Sequence, residues 1–245
     1  MDFEELYIEV RRREKRIYED DMVLRLPDVS NDHRYYHEWM ARKKSLDRLI
    51  QYLKLKHKRL SILDVGCGNG WMSNQLAKLP MTEVVGIDVN HIEIEQASRV
   101  FSGQHNLKFI QGEITSDLLN HYNFGIIVFA SSIQYFKSLA NVLHYADKIL
   151  VPRGEIHIID SPFYTDKEVH DAKEASNNHF NRLGFPEMSN YYHHHIYREL
   201  NNYRPKYLFA PNKVKSKLLR MLKMRNDSPF PWIRIKKYGK GLLSI

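Results

Sequence analysis

The chain has 245 residues, a formal net charge of +8 and 43% apolar residues, enough for one large domain with a buried core. No apolar run approaches the roughly 20 residues of a membrane-spanning helix, and the first residues, MDFEELYIEV, lack the basic-then-apolar pattern of a secretion signal. Cys67 is the only cysteine, which excludes an internal disulfide, and we expect a cytoplasmic protein.

Two charged helices are predicted in the first sixty residues. One covers residues 4–21, EELYIEVRRREKRIYEDD. The other covers residues 37–56, where apolar residues recur at helical spacing from Trp39 to Leu53. We expect residues 1–59 to form a helical extension ahead of the main domain.

From residue 60 onward, short apolar runs alternate with helical stretches, which is typical of an α/β domain with a mainly parallel sheet. The predicted strands cover residues 61–66, 83–89, 107–114, 124–132, 154–161, 206–210 and 231–237. Pro152-Arg153-Gly154 predicts a turn before the fifth strand. We expect one domain over residues 60–245, with a helical insertion at about 162–203.

The first predicted strand ends in ILDVGCGNG, residues 62–70, with three glycines in five residues. A doubly wound sheet binds ligands at this point, and missing side chains let a ligand approach the backbone. The spacing does not match the dinucleotide fingerprint, because Trp71 stands where that pattern needs its third glycine. Asp64 beside the loop would repel phosphate and would suit an ammonium group.

Acidic residues also follow the next two strands. Asp88 ends the second strand, where a carboxylate can accept hydrogen bonds from both hydroxyls of a ribose. Glu113 follows the third strand and could bind the amino group of an adenine, with Ile114 as an apolar wall. Together with the glycines, these acids indicate a ligand that carries an adenosyl group.

With these motifs the chain resembles the class I S-adenosylmethionine-dependent methyltransferases, in particular the type 11-like group that methylates small molecules. The matching segments are DVGCGNG, IDVN, QGEI, FASSIQYF and LVPRGEIHIID, within residues 60–161. The resemblance implies a Rossmann-like, doubly wound, seven-stranded sheet whose last strand is antiparallel. It also implies S-adenosyl-L-methionine as the cofactor and S-adenosyl-L-homocysteine as the product.

The resemblance also implies which residues contact the cofactor. They are Asp64, Gly66 and Gly68 at the methionine end and the loop, Asp88 and Val89 at the ribose and adenine, Glu113 and Ile114 at the base, and Ala130 near the sulfonium. Family members usually have aspartate where this chain has Glu113. Arg42, on the second predicted helix, is a further candidate, for the carboxylate of the cofactor.

Methyl transfer from a sulfonium is an in-line displacement, which needs a general base only when the acceptor must lose a proton. Tyr135 and His194 are the candidates for such a base, and each can instead be a wall of the acceptor pocket. We expect the N-terminal helices and the insertion to form a lid over a small-molecule acceptor. His193, His194 and His195 would point about 100° apart on a helix, so we expect no metal site.

Basic residues are concentrated near the C-terminus. Residues 204–240 contain twelve Lys or Arg and one acid, Asp227, and residues 212–225 have the pattern of a basic amphipathic helix. Such a segment can bind nucleic acid, lie on an anionic membrane surface, or be a solvated helix whose apolar face covers the sheet. We favour the solvated helix. The alternatives to a small-molecule enzyme are an RNA or other nucleic-acid methyltransferase and a non-catalytic S-adenosylmethionine-binding protein.

Overall fold

A mixed sheet lies at the centre of the computed structural model, which describes residues 2–211, 227–239 and 241–242. Its strands are β1 (Leu60–Val65), β2 (Thr82–Asp88), β3 (Leu107–Gln111), β4 (Phe124–Ala130), β5 (Leu150–Ile159), β6 (Lys206–Phe209) and β7 (Trp232–Lys236). They lie in the order β3-β2-β1-β4-β5-β7-β6. The first five strands pair in parallel, and β7 is antiparallel to both of its neighbours. This confirms the predicted Rossmann-like sheet and its antiparallel last strand.

The α-helices cover both faces of the sheet. They are α1 (Phe3–Arg13), α2 (Asp20–Arg25), α3 (Tyr36–Lys54), α4 (Trp71–Ala77), α5 (His91–Val100), α6 (Leu139–Ile149) and α7 (Val169–Leu183). Alternate residues of β1 point to opposite faces. Ile62 packs with Leu49 of α3 and Leu76 of α4, while Leu63 packs with Leu143 of α6. No helix among these described residues is long and apolar enough to cross a membrane.

The single helix predicted over residues 4–21 is wrong, because the structure forms α1 and α2 with a break between them. Lys15 has a left-handed backbone with φ 60°, and the N–H of Arg16 bonds to the carbonyl of Arg11 at 2.8 Å. Arg16 then turns inward to pair with Glu38 of α3. Tertiary contacts therefore end a helix that the local sequence could have continued.

The turn predicted at residues 152–154 lies inside β5 instead of before it. Arg153 has φ 65°, and the pairing with β4 skips from Leu150 to Glu155. A Cβ at Gly154 would lie 2.7 Å from Leu150 Cδ1, so the chain folds tightly on itself there. The strand therefore carries a bulge, and its second half runs to the carboxyl edge of the sheet.

The predicted helical insertion is helical only in part. After α7 come two short 3₁₀ helices, Pro186–Asn190 and Tyr197–Tyr203, and the three consecutive histidines lie in the irregular segment between them. These three histidines were expected on a helix, and that expectation is wrong. The described residues contain no group of three or more His, Cys, Asp or Glu that could hold a metal ion. The basic segment at 212–225 lies outside the described residues.

Candidate functional site

The glycine-rich loop joins β1 to α4 and packs tightly against its surroundings. A Cβ at Gly66 would lie 2.5 Å from Ser132 Cβ, and one at Gly70 would lie 2.5 Å from Phe109 Cζ. Both glycines also have φ near +70°, a conformation that other residues adopt at a cost. These two missing side chains therefore serve close packing within the protein, which the sequence alone did not indicate.

Asp88 fastens this loop to the end of β2. Its Oδ2 accepts the N–H of Gly68 at 2.8 Å, and its Oδ1 accepts the N–H of Asn90 at 2.9 Å. Desolvation by burial raises the pKa of the Asp88 carboxyl above its ordinary value. Each carboxylate oxygen retains a lone pair for a further donor, such as a ligand hydroxyl.

A cavity of about 870 Å³ opens over the carboxyl ends of β1, β4 and β5. The glycine loop forms its floor, and α1, α3 and α7 contribute its walls. Ligand-binding cavities usually measure about 300–1,000 Å³, so this one is large enough for a nucleoside-sized ligand together with a second small molecule.

Five residues that line the cavity hold buried polar atoms with no hydrogen-bond partner in the described part of the chain. These atoms are Arg11 Nε, Asp64 Oδ1, Glu93 Oε2, Gln134 Oε1 and Asp160 Oδ2. Buried polar groups are nearly always hydrogen-bonded in folded proteins. Their concentration around one cavity indicates a polar ligand that would complete these bonds.

The carboxylates at the loop end of the cavity indicate the charge of that ligand. Asp64 is 1% exposed, its Oδ2 accepts the hydroxyl of Ser73 at 2.7 Å, and burial raises its pKa to about 6. Glu93 is 5% exposed, and burial raises its pKa to about 7, against the opposing effect of Arg11. Such a site favours cationic groups and hydroxyl donors. An ammonium, a sulfonium and two ribose hydroxyls fit it, so the residues present suit S-adenosylmethionine.

Comparison with known proteins decides the family. The family model described as "Methyltransferase domain" matches residues 56–224, more than half of the chain. The chain belongs to the S-adenosylmethionine-dependent methyltransferases. S-adenosyl-L-methionine is therefore its cofactor.

Individual relatives are distant from this methyltransferase. A malonyl-[acyl-carrier protein] O-methyltransferase of Legionella pneumophila is 26% identical over 140 residues, 57% of this chain and 49% of the relative. A ubiquinone biosynthesis O-methyltransferase of Bartonella tribocorum is 30% identical over 97 residues, 39% of this chain and 38% of the relative. The chain thus spans about half or less of the length of these relatives.

One solved structure illustrates the shared fold. The geranyl diphosphate C-methyltransferase from Streptomyces coelicolor superimposes with a TM-score of 0.59 at 12% identity, over 89% of this chain and 88% of the other. At that identity the likeness shows the fold alone.

Arg42 and Ala130 both line the cavity of this methyltransferase, and their contacts with the cofactor remain predictions. The Arg42 guanidinium is already paired with Glu38 at 3.0 Å, and Arg16 binds the same carboxylate from the other side at 2.7 Å. These two arginines hold the pKa of Glu38 down at about 2, although burial opposes them. Arg42 therefore reaches the cavity as part of an ion-pair network that joins α3 to the segment after α1.

Asp88 and the three residues predicted at the adenine are not among those that line the cavity, so ribose binding by Asp88 remains a prediction as well. The carboxylate of Glu113 is exposed and accepts the hydroxyl of Thr115 at 2.8 Å, and Ile114 is buried in the core. Val89 lies two residues before α5. At the first residue of α5, Glu4 Oε1 of α1 accepts the N–H of His91 at 2.8 Å. Adenine contacts by Val89, Glu113 and Ile114 therefore remain predictions.

The two candidate bases lie in different surroundings. Tyr135 lines the cavity, and burial raises the pKa of its phenol, which disfavours the ionised form that a base requires. His194 is not among the lining residues, and its Nε2 lies 2.9 Å from the hydroxyl of Ser176. A base role for either residue remains a prediction, and the geometry favours Tyr135 as a wall.

The N-terminal helices were expected over the acceptor, but the residues of α1 that line the cavity were not predicted. Tyr7, Val10, Arg11 and Glu14 all line the cavity, and their spacing of three, four and seven residues places them on one side of the helix. That spacing was visible in the sequence, but nothing local shows which side of a charged helix faces a site. Glu93 was also missed, because an acid in the first turn of a helix is common for electrostatic reasons alone.

Proposed function

We propose that this chain transfers a methyl group from S-adenosyl-L-methionine to a small-molecule acceptor that binds in the same cavity. The observation that carries the proposal is that one cavity combines two kinds of lining. Asp64 and Glu93, each with one unpartnered carboxylate oxygen, lie beside the glycine loop, and a cluster of tyrosine rings contacts Phe180 of α7. The carboxylates suit the cofactor, and the tyrosines provide walls for an acceptor.

Near the glycine loop, different residues would bind different groups of the cofactor. Asp64, with its free Oδ1, would accept the ammonium group, and Asp88 and Glu93 would accept the ribose hydroxyls. The backbone at Gly68 would lie against the ligand, and Arg42 remains the candidate for its carboxylate. When bound, the cofactor supplies an electrophilic methyl group on its sulfonium.

The helical segments would act as a lid that keeps water out and holds the acceptor in line. Residues of α1, α3 and α7 all line the cavity, which supports this role for the N-terminal helices and the insertion. An acceptor enclosed in this way would be small. By its name, the relative from Bartonella tribocorum acts in the biosynthesis of a small molecule, ubiquinone, which agrees with this expectation.

The test is a transfer assay with S-adenosylmethionine labelled at the methyl group. Purified protein is incubated with pools of phenols, carboxylic acids, amines and RNA, and the labelled product is separated by size and charge. We expect label in a low-molecular-weight product and none in RNA, with the signal lost in Asp88→Asn. Label in RNA alone would contradict the proposal, and so would cofactor binding without transfer to any pool.

A further inference from the structure

Five residues of α7 line the cavity: Ala172, Ala175, Ser176, His179 and Phe180. They recur at helical spacing and so lie on one side of the helix. Three of these side chains are small. His179 carries the titratable ring of the five, and its ring centroid lies 5.3 Å from that of Phe180.

Aromatic rings line the cavity next to these residues of α7. Tyr135 contacts Tyr7 edge to face, with ring centroids 5.6 Å apart, and contacts Tyr192 in the same way at 5.8 Å. The ring centroids of Phe180 and Tyr192 lie 5.8 Å apart. All four residues line the cavity. Their rings form flat apolar walls that favour a flat aromatic ligand.

His179 is paired with a carboxylate from another wall of the cavity. Its Nε2 lies 2.9 Å from Oε1 of Glu14, which follows α1 and also lines the cavity. Arg16 Nε lies 3.2 Å from the other carboxylate oxygen and holds Glu14 in place. A carboxylate accepts hydrogen bonds, so Nε2 carries the ring proton and Nδ1 carries the basic lone pair.

We propose that this end of the cavity binds an acceptor with a hydroxyl on an aromatic ring, and that His179, oriented by Glu14, takes the hydroxyl proton. The inference rests on the proposed function and names the acceptor class of that same site. The proton passes from the acceptor oxygen to Nδ1 of His179. The oxygen keeps the electron pair of the broken O–H bond and becomes the nucleophile, while the Glu14 carboxylate stabilises the imidazolium.

Other acceptor classes make less use of this arrangement. A neutral amine or an ionised carboxylate needs no base before it is methylated. A carboxylate would also meet the negative charge of Glu14. A phenol can pack against the tyrosine rings and also needs a base, so it uses both the aromatic walls and His179.

The experiment measures binding and ionisation of a probe, without turnover. Protein loaded with S-adenosylhomocysteine is titrated with 4-nitrophenol, whose phenolate absorbs visible light. We expect saturable binding and a larger phenolate fraction than in free probe at the same pH. His179→Gln should keep the binding and lose the extra phenolate, and His179→Asn gives a second test if the glutamine variant does not fold.

Three controls separate the effect of His179 from that of its surroundings. His170 lies on the same helix, 87% exposed, and His170→Gln should bind and ionise the probe as the wild type does. Tyr135→Ala removes an aromatic wall and should weaken probe binding about tenfold, with the affinity for S-adenosylhomocysteine unchanged. Cyclohexanol should compete poorly with the probe because it is not flat.

The outcomes separate this inference from the proposed function. An equal phenolate fraction in the wild type and His179→Gln would overturn the assignment of His179. Normal binding of S-adenosylhomocysteine without binding of the probe would overturn the acceptor class and leave the proposed function intact. Failure to bind S-adenosylhomocysteine would overturn both.

Discussion

Asp88 joins two parts of the site, since its carboxylate holds the N–H groups of Gly68 and Asn90. Asp88→Asn keeps the size of the side chain but removes the charge that would bind ribose hydroxyls. A hydrogen bond to a charged group contributes about 1.5–3 kcal/mol, so we expect the affinity for S-adenosylhomocysteine to fall by about 10- to 100-fold. Calorimetric titration measures this, with the exposed Asp117→Asn as a control that should bind normally.

Glu93 should make the stability of the free protein depend on pH. Burial raises its pKa from 4.5 to about 7, so the folded state holds a proton that the unfolded state has released between these values. Stability therefore falls as pH rises through this window. Glu93→Gln removes this titration. The change that it causes in the free energy of unfolding should be more favourable at pH 8 than at pH 4, by up to about 3 kcal/mol.

Urea unfolding at pH 4, 6 and 8 measures this dependence. Arg11 and Asp88 are the charged groups that shift the pKa of Glu93, and both stay in place in the variant. The matched control is Glu95→Gln, an exposed acid on the same helix, which should show no such trend. A parallel pH dependence in the wild type and Glu93→Gln would contradict the assignment.

At the scale of elements, the junction of β1 and α4 depends on a glycine. A Cβ at Gly70 would lie 2.5 Å from Phe109 Cζ and 2.9 Å from Ala97 Cβ, in a backbone with φ 74°. Left-handed backbone costs about 1–2 kcal/mol and overpacking about 1–3 kcal/mol. Gly70→Ala should therefore lower the free energy of unfolding by about 3 kcal/mol.

Urea denaturation tests this value against a matched variant. Gly103→Ala adds the same methyl group where nothing lies within 4 Å, and it should change stability little. Phe109→Leu shortens the side chain that Gly70→Ala would meet, so the double variant should recover part of the loss. Equal effects of the two glycine variants would contradict the packing role of Gly70.

The sheet and its glycine loop were predictable because their signals are local. Apolar runs marked the strands, and the loop and Asp88 lie where successive strands end. The pairing of Glu14 with His179 could not be predicted, since the two residues are 165 positions apart and neither has a motif around it. The break after α1 was missed for the same reason, because Arg16 leaves the helix to reach Glu38.

At the scale of the whole molecule, the cavity lies where the sheet meets the N-terminal helices and the helical segment between β5 and β6. A ligand that binds only the folded state stabilises it by about 2.7 kcal/mol at a concentration 100 times its Kd. S-adenosylhomocysteine at that concentration should therefore raise the Tm by roughly 5–10 °C in a chain of this size. Thermal unfolding with and without the ligand measures the shift, and adenine at the same concentration should produce a smaller one.

The most direct test of the account is calorimetric titration of the purified protein with S-adenosylhomocysteine and, separately, with NAD. The account predicts one S-adenosylhomocysteine per chain, with a Kd of about 1–100 µM, and no heat from NAD. It also predicts binding about 10- to 100-fold weaker in Asp88→Asn. Absence of binding by S-adenosylhomocysteine, or equal binding of NAD, would contradict the assignment of the glycine loop and its carboxylates as the cofactor site.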